Sequence, residues 1–226
     1  MAAKLSKKEL KQPDAFQSTI EVIQDYILEN QKRFYAIVTA IILAAIIAFG
    51  IYMYWSHYQS SAREMYAKAQ TNVARNVDTP EDAMKNIKIY QELIDKYPLS
   101  WSARMAHYHI GNLYYNLGEF DKAIADYKKF VASRISDRAG IKFLALTSMG
   151  YCYEAKKDFK SALEYFEKAQ KSDNVGFESV GFRNIGRAYE QLNDKKNALE
   201  NYKKALEKTT DPATVIFIKH KISSLS

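Results

Sequence analysis

The sequence GYCYEAKKDFKSALEYFEKA, residues 150–169, decides the fold of this chain. Its glycine is followed twelve residues later by Ala162 and sixteen residues later by Phe166. The same order of glycine, alanine and aromatic residue occurs in two other places, at Gly111, Ala123 and Tyr127 and at Gly186, Ala198 and Tyr202. The copies begin 39 and then 36 residues apart. Such a period is typical of solenoids built from helix–turn–helix units.

Close packing explains why these residue types recur. A glycine in the first helix of a unit and an alanine in the second allow the two backbones to approach, and the aromatic side chain fills the gap to the next unit. Polar turns separate the two helices, at Gly118-Glu119, Lys156-Lys157-Asp158 and Asn193-Asp194. The pattern predicts an all-α domain over residues 56–226.

These residues resemble the tetratricopeptide repeat, with small-x-x-aromatic in its first helix and Ala-x-x-x-aromatic-x-x-Ala in its second. We predict a degenerate unit at 58–97, repeats at about 101–132, 140–172 and 177–208, and a capping helix at 211–226. Asp211 and Pro212 suit the N-cap and first position of that last helix. The first copy departs from the motif, because Phe130 stands in the place of the second alanine.

An apolar run precedes the repeats: residues 35–54 read YAIVTAIILAAIIAFGIYMY and contain no charge. At about 1.5 Å per residue, a helix of this length spans a hydrocarbon core of roughly 30 Å. A helix that is apolar on every face is either buried in a protein core or spans a membrane, and this run is too long for a core helix. A cleaved signal peptide has an apolar region of only about 7–15 residues. The sequence therefore predicts one uncleaved transmembrane anchor at 34–55.

The tail before the anchor, residues 1–33, contains six basic residues: Lys4, Lys7, Lys8, Lys11, Lys32 and Arg33. The first basic residue after the anchor is Arg63, and this asymmetry favours a cytoplasmic N-terminus with the repeats on the other side. Four apolar residues of the tail recur at helical spacing: Phe16, Ile20, Ile23 and Ile27. The resulting amphipathic helix either contacts the membrane or a membrane partner, or only positions the anchor.

The segments that flank the anchor carry a second resemblance. YILENQKRF at 26–34 and YWSHYQSSAREMYAKAQ at 54–70, followed by the repeats, resemble the bacterial ancillary subunit of the Sec translocon. That resemblance implies a single-pass inner-membrane protein whose repeats lie in the periplasm. It also implies protein partners, namely translocon subunits, periplasmic chaperones or unfolded clients.

Several function classes are disfavoured by composition. The chain has 33 basic and 26 acidic residues, a net charge of +7, but the two signs are interleaved, whereas a nucleic-acid interface needs a concentrated basic stripe. The four histidines show no metal-binding spacing, no phosphate loop is present, and Cys152 is the single cysteine. We therefore expect no enzyme activity, metal or cofactor.

Protein binding remains as the expected function. The resemblance to tetratricopeptide repeats implies a groove lined by the first helix of each unit. Counting the glycine as the eighth place, the groove-facing places include Tyr108, Asn112, Tyr115, Thr147, Tyr151, Arg183 and Arg187. Arg183 and Arg187, one turn apart, are expected to project together. A carboxylate clamp would need lysine where Tyr108 stands, so this kind of site is disfavoured.

The chain is thus expected to be a membrane-tethered adaptor. The alternative is a structural subunit of another envelope complex, such as a division, protease or outer-membrane biogenesis complex. Self-association of the repeats is left open.

Overall fold

The computed structural model describes residues 15–75, 79–133, 140–172 and 175–226, with the side chains of 15–17 and 73–75 left out. The described residues form helices and no strands. The helices are α1 Ala15–Glu29, α2 Gln31–Arg75, α3 Pro80–Lys96, α4 Trp101–Asn116, α5 Phe120–Val131, α6 Ile141–Ala155, α7 Phe159–Gln170, α8 Glu178–Gln191, α9 Lys195–Glu207 and α10 Pro212–Leu225. The chain divides into two compact units, Met1–Ser56 and His57–Ser226.

The N-terminal unit contains α1 and the first part of α2. Asn30 joins the two helices: its N–H donates to the Tyr26 carbonyl at 3.0 Å and its carbonyl accepts from the Phe34 N–H at 2.9 Å. One helix of the described residues, within Gln31–Asn72, is long and apolar enough to cross a membrane by length and composition. In α1, Ile20 and Ile23 are exposed and Ile27 is half-buried.

Part of the predicted tail lies outside the described residues. This part comprises Lys4, Lys7, Lys8, Lys11 and the side chain of Phe16, whose backbone is the second residue of α1. The segment 76–78 of the degenerate unit also lies outside them.

In the C-terminal unit, α4–α5, α6–α7 and α8–α9 are antiparallel pairs of a first and a second helix. Two residues after the end of each first helix stands a residue in the left-handed region: Gly118 at φ 75°, Lys157 at φ 62° and Asn193 at φ 59°. These residues occupy equivalent places, seven after each repeated glycine. In each turn the next N–H reaches back to a tyrosine carbonyl at 2.9 Å, on Tyr114, Tyr153 and Tyr189. This bond pattern satisfies the last carbonyls of the helix.

Side-chain caps start several of the helices. The Asp158 carboxylate accepts from the Ser161 N–H at 3.1 Å, and the Asp194 carboxylate accepts from the Asn197 N–H at the same distance. Asp211 caps α10 by accepting from the Thr214 N–H at 2.8 Å, with Pro212 following it. Short polar side chains at this position bind N–H groups that have no partner inside the helix.

The repeated glycines lie against the repeated aromatic rings. A Cβ atom placed on Gly111 would be 2.6 Å from Tyr127 Cε1, and one on Gly186 would be 3.2 Å from Tyr202 Cδ1. Gly150 lies against Phe166 in the same way. The partner alanines Ala123, Ala162 and Ala198 are fully buried. The predicted tetratricopeptide-like helical solenoid is confirmed.

The end of α2 packs on α3 and α4 through aromatic side chains. The rings of Tyr66 and Tyr90 are 6.1 Å apart, and Tyr90 stacks on His109 at 5.4 Å. The Tyr66 hydroxyl lies 2.6 Å from His109 Nε2. Burial lowers the pKa of His109 and raises the pKa of Tyr66 to about 12. Both side chains are therefore uncharged at neutral pH, and their contact joins the unit at 58–97 to the first repeat.

The alanine contacts give a test of the packing. Replacing Ala162 or Ala198 by leucine adds volume where no space exists, and we expect each change to lower the free energy of unfolding by about 1–3 kcal/mol. Urea unfolding of the purified protein measures the effect. Ala155→Leu, at an exposed position of α6, is the control and should change little. Unchanged stability in both core variants would contradict the observed register.

Candidate functional site

The candidate site is the groove face, which we define as the fifth, ninth and twelfth places of the three first helices. It comprises Tyr108, Asn112 and Tyr115 of α4, Thr147, Tyr151 and Glu154 of α6, and Arg183, Arg187 and Glu190 of α8. Seven of these nine were predicted from the sequence. Glu154 and Glu190 were missed, although the count that placed Tyr115 at the twelfth place also gives these two glutamates.

Three predicted residues, Asn112, Tyr115 and Tyr151, line one pocket of about 310 Å3 between α4 and α6. Tyr127 of α5 also lines this pocket, and its hydroxyl donates to Asn112 Oδ1 at 2.7 Å. Burial raises the pKa of Tyr127, so this hydroxyl remains a donor at neutral pH. The bond fixes the orientation of the Asn112 amide. The rings of Tyr115, Tyr127 and Tyr151 form much of the pocket wall.

Tyr108 lies beside this pocket rather than in its wall. Its ring packs 5.5 Å from Phe130 and 6.0 Å from Tyr127, and burial raises the pKa of its hydroxyl. Thr147 differs from the prediction: only 5% of its surface is exposed, so a ligand cannot reach it while the helices remain packed. Its hydroxyl oxygen has no hydrogen-bond partner among the described residues.

Polar contacts link α6 to α8 across the groove face. The fully buried amide of Asn184 donates to the Tyr151 hydroxyl at 3.0 Å. Arg187 forms a two-point ion pair with Glu154, at 2.7 Å and 2.8 Å. The guanidinium also lies 5.3 Å from the ring centroid of Tyr151. Burial alone would lower the pKa of Arg187, but the hydrogen bonds and charge of Glu154 outweigh it and raise this pKa.

Arg183 and Arg187 therefore differ, although the sequence predicts that they project together. The charge of Arg187 is already compensated by Glu154. Arg183 is half-buried and makes no hydrogen bond or ion pair with the residues that the structure describes. The groove face thus offers one uncompensated positive charge from α8.

A second ion pair joins the groove face to α10. Lys221 Nζ lies 2.8 Å and 3.0 Å from the two carboxylate oxygens of Glu190, and the Tyr202 hydroxyl donates to the same carboxylate at 2.8 Å. Burial would raise the pKa of Glu190, yet the bonds from Lys221 and Tyr202 lower it. Glu190 is therefore ionised and compensated within the fold.

A comparison with family models identifies this architecture. The model of the tetratricopeptide repeat-like domain matches residues 31–226. The chain belongs to the tetratricopeptide repeat-like family. Folds of this kind are typically scaffolds for protein–protein interaction rather than enzymes. None of the curated proteins in the comparison matches the chain.

Several solved structures share the fold. The crystal structure of the MamA protein superposes with a TM-score of 0.56 at 16% identity, covering 75% of this chain and 81% of that one. MamA from Desulfovibrio magneticus RS-1, from residue 41 to the end, gives 0.52 at 18% identity and covers 65% and 74%. PilF from Pseudomonas aeruginosa gives 0.55 at 16% identity and covers 75% and 69%. At these identities the likeness shows the fold alone.

Reactive groups are sparse in the described part of the chain. It contains no group of three or more His, Cys, Asp or Glu side chains that could hold a metal ion. Cys152 is fully buried, and burial raises the pKa of its thiol to about 12. A thiol is nucleophilic only as the thiolate, so Cys152 acts as a small core residue.

The Glu154–Arg187 pair gives the test of this site. Removing either charge leaves the other half-buried and unpaired, so we expect Glu154→Gln and Arg187→Gln each to cost about 1–3 kcal/mol of unfolding free energy. The double variant should cost less than the sum of the two, because the groups contact each other directly.

Urea unfolding of the four proteins completes this double-mutant cycle. The exposed Glu200–Lys204 pair of α9 is the matched control, for which a coupling of about 0.3–0.5 kcal/mol is expected. Strict additivity of the Glu154 and Arg187 changes would show that the observed ion pair does not stabilise the fold.

Proposed function

We propose that the protein is a membrane-tethered adaptor on the periplasmic face of a bacterial inner membrane, where it holds peptide segments of partner proteins near the Sec translocon. Translocon subunits, periplasmic chaperones and unfolded secreted proteins are the proposed partners. The family supports protein binding, and the helix within Gln31–Asn72 supports the tether. The sequences at 26–34 and 54–70 support the Sec association, through their resemblance to the ancillary translocon subunit.

The pocket on the groove face carries the proposal of peptide binding. Tyr115 and Tyr151 supply large, rigid contact surface, and Asn112 supplies amide groups that suit a peptide backbone. Arg183 adds a planar donor that suits a carboxylate. We therefore expect the bound segment to combine apolar side chains with an acidic group placed toward α8.

The ion pairs within the fold limit how many charged groups the bound segment is expected to contain. Because Arg187 and Glu190 are already paired with Glu154 and Lys221, a ligand gains little from a second charge on the same face. Displacing either pair would leave a half-buried charge without a partner. Specificity is thus expected to depend on the tyrosines and on a single acidic contact.

The groove can be tested by reversing the one uncompensated charge. We expect Arg183→Glu to reduce the recovery of translocon subunits and chaperones from gently solubilised membranes several-fold, as measured by quantitative mass spectrometry. Lys203→Glu, at an exposed position of α9, makes the same charge change away from the groove face and should leave recovery unchanged.

The difference in partner recovery between the wild type and Arg183→Glu should be smaller in high salt, because salt screens the attraction between Arg183 and an acidic group of the partner. If Arg183→Glu and Lys203→Glu both recover as much partner protein as the wild type, the groove face is not the binding surface. Recovery of a different defined assembly, such as a division, protease or outer-membrane biogenesis complex, would support the alternative of a structural envelope subunit.

The proposed topology has its own test. Protease added to intact spheroplasts is expected to digest the repeats and to spare a small fragment that contains the anchor, because the basic tail favours a cytoplasmic N-terminus. Immunoblotting with antibodies against each end of the chain measures the products. Repeats that stay protected until the membrane is opened would place the domain in the cytoplasm instead.

A further inference from the structure

The last helix, α10, has the residue register of a first helix of the repeat. Ile218 and Ile222 stand where Gly181 and Ile185 stand in α8, 37 residues earlier in the chain. In both helices these places face the preceding unit, since Gly181 lies against Gln170 of α7 and Ile218 packs in one cluster with residues of α9. The side of α10 that faces the preceding unit is therefore covered as in the other repeats.

Three other places of a first helix contact the second helix of the same unit. At one of them, the Ser179 hydroxyl of α8 donates to the Ala205 carbonyl of α9 at 2.8 Å. At the next, His107 Nδ1 of α4 lies 2.8 Å from Asp126 Oδ1 of α5. The third place is that of the repeated glycine, which lies against the aromatic ring of the second helix. Contacts at these three places join the two helices of a unit.

In α10 the same three places are occupied by Ile216, Lys219 and Ser223, which we call the second-helix side of this helix. All three side chains are exposed, and Ile216 is 70% exposed. Serine, a small residue, stands where the other first helices have glycine. In the part of the chain that the structure describes, the surface that would pair with a second helix is thus open to solvent.

The charges of α10 indicate which kind of helix fits this surface. The helix contains two lysines and no acidic residue. Lys221 is paired with Glu190, whereas Lys219 makes no hydrogen bond or ion pair with the described residues. The equivalent side chain of the first repeat, His107, is paired with Asp126. A carboxylate at the place of Asp126 in an added helix would meet Lys219 in the same way.

We propose that α10 is the first helix of a repeat whose second helix is supplied by a partner protein. The supplied helix is amphipathic: its apolar side covers Ile216, an aromatic side chain packs on Ser223, and an acidic residue directly before that aromatic pairs with Lys219. A second copy of α10 is disfavoured as the occupant, because it would bring two lysines together. The surface is separate from the groove face, and the inference does not rest on the proposed function.

A peptide copied from α5 is the probe for this surface, because that helix carries the required acid and aromatic at Asp126 and Tyr127. The synthetic peptide has the sequence of residues 119–132, with lysine in place of Ala125 and a lactam closing that lysine to Asp121. Both of these positions are exposed in α5, and the closure is needed because so short a helix is marginal in water. Fluorescence anisotropy of the labelled peptide is measured against the full-length protein in nanodiscs. We expect saturable binding, and its absence would overturn the proposal.

Ile216→Asp should weaken this binding roughly tenfold or more, because an isoleucine side chain is no longer removed from water. Leu99→Asp is the matched control, since Leu99 is also exposed, at 61%, and lies between α3 and α4. Peptide affinity should be unchanged in this control. Equal affinity for the wild type and Ile216→Asp would overturn the proposal.

Reversal of the charge pair tests the acidic contact. Lys219→Glu should weaken peptide binding several-fold, and Lys203→Glu, at an exposed position of α9, should not. A peptide with lysine in place of Asp126 should bind Lys219→Glu more tightly than it binds the wild type, because opposite charges are restored. If this second peptide prefers the wild type, the carboxylate does not meet Lys219 and the proposed pairing is overturned.

Two further measurements separate this surface from other occupants and sites. Arg183→Glu should leave peptide binding unchanged; loss of binding in Arg183→Glu but not in Ile216→Asp would place the peptide on the groove face and overturn the proposal. Sedimentation velocity of the full-length protein in mild detergent tests self-association. A dimer that dissociates in Ile216→Asp would show that a second copy occupies this side instead of a partner protein.

Discussion

The stack of helical pairs depends on how closely the first helix of each unit approaches the second. At Gly111 and Gly150 the backbone lies so near an aromatic ring that no Cβ atom could be accommodated. The ring itself is enclosed, since Tyr127 and Phe166 are each about 1% exposed. This contact fixes the rotation of the first helix about its own axis. The residue after each glycine is therefore directed to the groove face in all three repeats.

The sequence was sufficient for the fold because the motif is local. Glycine, alanine and aromatic residue lie within about one unit, and their sizes alone set the packing of two consecutive helices. Contacts between units are different: Glu154 and Arg187 are separated by a second helix and a turn, so the spacing within one unit does not show that they meet. For the same reason the sequence did not show that Thr147 is buried, since its burial depends on neighbouring helices rather than on its place in the motif.

Charges on the groove face divide it into two parts with different costs of binding. Toward α8 and α10, the carboxylates already have partners, so a ligand must compete with bonds that the fold has formed. Toward α4, the surface is built from tyrosine and asparagine, and covering it removes mainly aromatic area from water. A peptide that lies along the face would gain contact area at one end and a single charge interaction near the other, so its direction would be defined as well as its composition.

In the proposed periplasmic location, the burial of the Cys152 thiol would protect it from oxidation. A lone accessible cysteine outside the cytoplasm is prone to mixed disulfides with other proteins and small thiols. Here the sulfur is enclosed in α6, and its high pKa leaves almost no thiolate to react. Reaction requires opening of the second repeat, so the rate at which a thiol reagent modifies the folded chain would report how often that repeat separates from its neighbours.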